Sequence, residues 1–162
     1  MIAKLIVEGK EFPIEIQDHE LQKLLVPNKK TGYERVGTEQ AFYYQRTDGE
    51  LACGRDYHND SYNKVYDGAN YYSDRTVAEN NARADKLMRQ LRRFAVEHRE
   101  NNNPTERYSI YYVKNPGILQ LRCDETFLFC APWFDSQHTG ARAIEEFKDE
   151  LIWYFTEYKD SL

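Results

Sequence analysis

Two stretches of this chain read alike without a gap. Residues 43 to 56, YYQRTDGELACGRD, and residues 111 to 124, YYVKNPGILQLRCD, share Tyr43/Tyr111, Tyr44/Tyr112, Gly49/Gly117, Leu51/Leu119 and Asp56/Asp124. Each is a hairpin by its chemistry, because Asp48-Gly49 and Pro116-Gly117 put glycine, for which positive φ is cheap, between arms rich in strand-forming residues. A hairpin that recurs in one chain points to an internal duplication. The segments downstream of the two hairpins also correspond. The first copy runs on through NYYSD into a helical pattern from Arg75 to Glu100, the second through PWFDS into one from Gln137 to Tyr158. Ala84, Leu87, Met88, Leu91, Phe94 and Ala95 fall on one face of the first helix; Ile144, Phe147, Leu151, Tyr154, Phe155 and Tyr158 fall on one face of the second. The helix stripes and the aromatic pairs ahead of them superpose at slightly different shifts, so the copies slip out of step near the helix start.

Ahead of the repeats, KLIVEGKEFPIEI alternates apolar and polar residues about Gly9-Lys10, which reads as a further hairpin with Pro13 confined to an edge. DHELQKLL suits a short helix that stops before Pro27. Residues 26 to 40 read as a surface loop with a short strand at Tyr33 to Val36. NNNPTER separates the two repeats, since Asn-rich sequence and Pro104 end a helix. The expected fold is α+β, with antiparallel sheet and two long helices in one domain, 1-162. Residues 1-25 form the hairpin and short helix, 41-100 the first ββα unit and 108-160 the second. Both helix starts carry caps, Asp74 or Ser73 in the first unit and Asp135 or Ser136 in the second.

At 162 residues such a chain buries roughly 70% of its unfolded surface and needs no staple. Cys53, Cys123 and Cys130 make an odd count without C-x-x-C spacing, which argues against a disulfide framework and a zinc site. No apolar run approaches a membrane span or a signal segment, so a cytoplasmic protein is expected, with no membrane partner. The net charge is -5, but residues 75 to 100 hold seven Lys/Arg against four Asp/Glu, which leaves -8 for the remainder. That basic helix is the electrostatic anomaly.

Catalytic chemistry finds little footing. No G-x-S-x-G, phosphate-binding loop or dinucleotide fingerprint occurs. Asp56, His58 and Asp60 alternate in GRDYHND, and an extended segment would set all three on one side, the start of an acid–base or metal site. A solvated turn is the plainer reading. Asp56 and Asp124 occupy equivalent repeat positions, so pseudo-symmetry could pair them; local capping explains them as well. No catalytic residue, metal or cofactor is expected. The binding candidates are Tyr66, Tyr71 and Tyr72 with Lys86, Arg89, Arg92 and Arg93: one tyrosine of each adjacent pair should face outward beside a basic helix face. A solvated basic face, or one paired with the acidic second helix, is the competing reading.

The strings KTGYERV, FYYQ, YNKVYDGANYYSD and PWFDSQHTGARAIEEFKDELIWYFTEY resemble a large family of small proteins encoded by phages and prophages of Gram-positive bacteria. Matching positions are Lys30 to Val36, Asn63, Lys64, Tyr66, Asn70, Tyr71 and Tyr72. Val65 stands where the family pattern has Arg, and Ala69 where it has Gly. The resemblance implies a phage setting and names no catalytic residues. Taken with the missing motifs, it leads to the expectation of a non-enzymatic accessory factor that inhibits or sequesters a host protein or defence complex, as an anti-CRISPR inhibitor does. Two alternatives stay open: a sponge for a small anionic nucleotide, and an enzyme acting on nucleotides or nucleic acid. The acidic remainder speaks against general duplex binding, and a homo-oligomer is compatible with the sequence.

Overall fold

A computed structural model describes residues 2–7, 10–15, 30–100, 106–123 and 132–158, the first two segments by their backbone alone. The fold is α+β with antiparallel sheets. β1 (Ile2–Val7) and β2 (Lys10–Glu15) form the expected N-terminal hairpin, with Pro13 opposite Lys4. The short helix expected at 18 to 25 lies outside the described residues.

β3 (Ala41–Gln45) pairs antiparallel with β4 (Leu51–Arg55), and Gly49 takes φ 91° in the turn between them. β5 (Tyr108–Val113) pairs with β6 (Ile118–Cys123) about Gly117, at φ 86°, and takes β7 (Trp133–Phe134) on its other edge. Both predicted hairpins are present. The strand expected at Tyr33 to Val36 is not: this segment is an irregular loop whose polar groups are taken up by side chains.

Between β4 and the first long helix the chain forms a further, short helix, not among the elements expected from the sequence. This helix, α1, spans Asp60–Asp67, is capped by Asn59, whose Oδ1 accepts the Tyr62 N–H at 3.0 Å, and buries none of its residues. Its exit passes through Ala69 at φ 55°, a left-handed conformation that an L side chain resists. Ala69→Gly should therefore raise stability by about 0.5–1 kcal/mol, because the relief of strain exceeds the extra freedom that glycine gains when unfolded. A urea midpoint that falls instead would contradict this.

The first long helix, α2, spans Arg75–Glu97, and Asp74 caps it by accepting the Val77 N–H at 3.0 Å. It stops just short of the Glu100 expected from the pattern. The second is interrupted: α3 spans Gln137–Glu146 and α4 Lys148–Trp153, followed by a wider turn over Tyr154–Tyr158. Phe147, at φ −108°, marks the break, although its N–H still reaches Ala143 O and its carbonyl accepts the Leu151 N–H. Ser136 is the second cap and accepts the Thr139 N–H at 3.0 Å, while Asp135 takes the Glu100 N–H instead. The core joins the two units: Leu87, Leu91 and Phe94 of α2 meet Phe134, Ala143 and Leu151, with Ile110 and Leu119 of the second sheet packed alongside.

Candidate functional site

Asp56 follows directly on β4, and its side chain is fully buried. A carboxylate survives there only if its oxygens are paired and hydrogen-bonded. Arg35 supplies two bonds, Nε to Oδ2 at 2.9 Å and Nη2 to Oδ1 at 3.3 Å. The Tyr71 hydroxyl donates to Oδ2 at 2.9 Å, and the His58 backbone N–H donates to Oδ1 at 2.7 Å. The Arg35 hydrogen bonds, helped by those of His58 and Tyr71, hold the Asp56 carboxyl at a pKa of about 2 against an ordinary 3.8, although burial pulls the other way. Burial and the neighbouring carboxylate push the Tyr71 hydroxyl up to about 12.

The loop that carries Arg35 is built to hold it. Glu34 folds back on its own turn, accepting from the Thr31 backbone N–H, from the Thr31 hydroxyl at 2.7 Å and from the Gly32 N–H at 3.0 Å, and so keeps a pKa of about 2. The same carboxylate accepts from Ser73 Oγ at 3.2 Å, and Gly32 O accepts the Ser73 N–H, so KTGYERV is laced to NYYSD. In NYYSD each residue has a separate task. Asn70 matches its carboxamide to the Gln45 backbone, with bonds of 2.8 and 2.7 Å. Tyr71 stacks on Phe42 at 4.4 Å, Tyr72 pairs its backbone with Tyr43 and packs on Tyr33, and Asp74 caps α2.

Tyr71 and Tyr72 are thus both buried, at 2% and 8% exposure, and the outward member expected of this pair is absent. The alternation of a strand does not apply, because the segment makes one isolated bridge and then turns into α2. Tyr66 remains exposed on α1, edge-on to Tyr71 and beneath the Arg35 guanidinium. Asp56, His58 and Asp60 do not line up as an extended run would place them. The extended run is broken at His58, φ 54°, whose Nε2 reaches Val36 O at 3.0 Å and lies 3.7 Å from Asp56, while Asp60 opens α1 at the surface. Asp124 and Cys130 lie outside the described residues; Cys53 and Cys123 are exposed thiols. Among the described residues no group of His, Cys, Asp and Glu is spaced to hold a metal ion.

The basic face of α2 divides in two. Arg83 pairs with Glu150 at 2.8 and 3.0 Å and lies 3.9 Å over the Trp153 ring, and Lys86 shares a hollow with Glu145, Glu146, Asp149 and Glu150. Arg83 holds the Glu150 carboxyl below its ordinary range, and Lys86 adds to the effect. That half of the helix faces the acidic α3–α4 segment, as the competing reading expects. Arg93 pairs with Glu97 along the helix at 3.4 Å. Arg89 and Arg92 are exposed and make no ion pair among the described residues. They lead to Val96, 66% exposed, and to Arg99 beside Trp133.

A hollow of about 640 Å³ lies between the Lys30–Tyr33 loop and the first turns of α2. Its rim is tied by Tyr158 donating to Asn81 Oδ1 at 3.0 Å and Asn81 donating to the Tyr33 hydroxyl at 2.8 Å. Among the described residues no helix is long and apolar enough to cross a membrane. Compared with known proteins, the chain matches no family model, no curated protein and no solved structure.

Proposed function

We propose that the protein is a non-enzymatic, phage-encoded binding factor that captures and inactivates a component of the host cell, a defence effector of the CRISPR type being the intended target. The observation that carries this reading is the division of charge on α2: Arg89 and Arg92 stand exposed and unpaired among the described residues, while Arg83 and Arg93 are engaged internally. Exposed arginines without internal partners suit recognition of an acidic surface. Asp56, common to both acid–base groupings read from the sequence, gives its carboxylate to Arg35, Tyr71 and His58, and this internal role leaves the binding reading the simpler one.

The test is phage plating on cells that carry an active CRISPR interference system, with and without the protein expressed. Plating should be restored by the wild type and lost with Arg89→Glu/Arg92→Glu at equal expression. If wild-type protein leaves plating unchanged, the anti-defence reading fails. A thermal shift of the purified protein with linear or cyclic nucleotides would instead favour the nucleotide-sponge alternative, since a ligand bound only by the folded state raises the melting temperature.

A further inference from the structure

We infer that the C-terminal end of α2 and Trp133 form a docking cleft for an acidic peptide segment that inserts one apolar side chain. This deepens the proposed binding function and rests on it for the identity of the partner as a protein. The cleft, about 230 Å³, is lined by Arg92, Ala95, Val96, Arg99, Pro132, Trp133 and Asp135. Its apolar part is Val96, 66% exposed, above every other large hydrophobic exposed among the described residues, together with the half-buried Trp133.

Helical spacing puts Val96 in one row with Arg89 and Arg92 on the side away from Leu87, Leu91 and Phe94. Arg99, just beyond the helix, has its guanidinium 5.8 Å from the Trp133 ring centre. A single exposed apolar residue with two arginines and an indole around it is the composition of an interface anchor, in which Trp and Arg carry much of the binding energy. The charge fixes the sign of the occupant. Among the described residues of the lining Arg92 and Arg99 stand against a single acid, Asp135, so the cleft presents net positive charge around an apolar centre.

Size and aromatic geometry decide between a peptide and a nucleotide. Pockets that enclose small ligands run from roughly 300 to 1,000 Å³, above the volume of this cleft. Within the lining, the Arg99 guanidinium already lies 5.8 Å from the Trp133 ring centre, a cation that competes with a base for this ring. An aliphatic or phenyl side chain flanked by carboxylates fits both limits.

The experiment titrates the full chain with a fluorescently labelled short peptide carrying a central Leu flanked by Glu. Parallel arms use the same peptide with Ala at the centre, one with Lys for Glu, a nucleoside diphosphate and a single-stranded oligonucleotide. The Glu–Leu peptide should bind, with the Ala and Lys versions at least about tenfold weaker, and Arg92→Glu/Arg99→Glu or Val96→Asp should each weaken it by about tenfold or more. Circular dichroism checks that both variants fold; two independent surface variants keep the test decisive if one does not.

Absence of peptide binding overturns the inference, as does binding indifferent to Arg92, Arg99 and Val96. Oligonucleotide or nucleoside diphosphate binding that depends on the same arginines overturns it in favour of a nucleic-acid or nucleotide surface. The plating assay separates the two levels. If the wild type restores plating but binds no peptide, the cleft assignment fails and the binding function stands; if the peptide binds and plating is unchanged, the cleft stands and the anti-defence function fails.

Discussion

Arg35→Ala should lower the stability of the folded protein by about 3 kcal/mol, the lower end of the range for removing one partner of a buried ion pair. The lower end applies because the Arg35 side chain is 26% exposed, so water can enter the space it leaves, whereas Asp56 has no exposure of its own. The Tyr71 hydroxyl and the His58 N–H remain, but neither carries charge to offset a buried carboxylate. The loss should appear as a lower urea midpoint with an unchanged slope. It should also change the response to acid. In the wild type the folded Asp56 holds a pKa of about 2, below its ordinary 3.8, so its contribution is present above about pH 4 and fades as pH falls toward 2. Without Arg35 that low-pH loss of stability should shrink. A variant as acid-sensitive as the wild type would mean that Arg35 does not hold the carboxylate down.

Phe42→Ala should cost about 3–5 kcal/mol, the usual effect of emptying a fully buried aromatic site. Phe42 lies opposite Gly54 across β3 and β4, where a Cβ would come within 2.9 Å of its ring, so the ring fills the space that glycine leaves. It stacks on Tyr71 at 4.4 Å and meets Tyr62 of α1 edge-on at 5.2 Å. Phe42→Leu, which keeps most of the volume, should cost less. Because Phe42 packs on Tyr71, and Tyr71 and Arg35 both bond the Asp56 carboxylate, the two alanine variants should not be additive. A loss under about 1 kcal/mol for Phe42→Ala would place the ring outside the structural centre of the first unit.

The parts of this fold that could be read from sequence are the ones with local causes. Asp48-Gly49 and Pro116-Gly117 set their turns within a few residues, and Asp74 and Ser136 act on the N–H groups three positions on. α1 escaped because its apolar row, Tyr62, Val65 and Tyr66, spans little more than one turn, too short to set a helical period apart; its other signals are Asn59 ahead of it and Gly68 behind. The Arg35–Asp56 pair could not be read at all, because nothing local connects a loop arginine to an aspartate on the far side of a hairpin. The same holds for Tyr71 and Tyr72, whose burial depends on Phe42, Tyr33 and Tyr43. On α2 the excess of positive charge was visible in composition, but its division was not, since that depends on which cations meet α3–α4.

The pairing of Asn70 and Tyr72 with β3 also bears on how the molecule avoids unwanted association. Tyr43 exchanges both backbone bonds with Tyr72, and Gln45 gives its N–H and carbonyl to the Asn70 side chain, so the outer side of β3 has no row of open donors and acceptors. A carboxamide thus does for Gln45 what another strand would otherwise do. Strand addition by a second chain, a common route both to recognition and to aggregation, is closed along this edge.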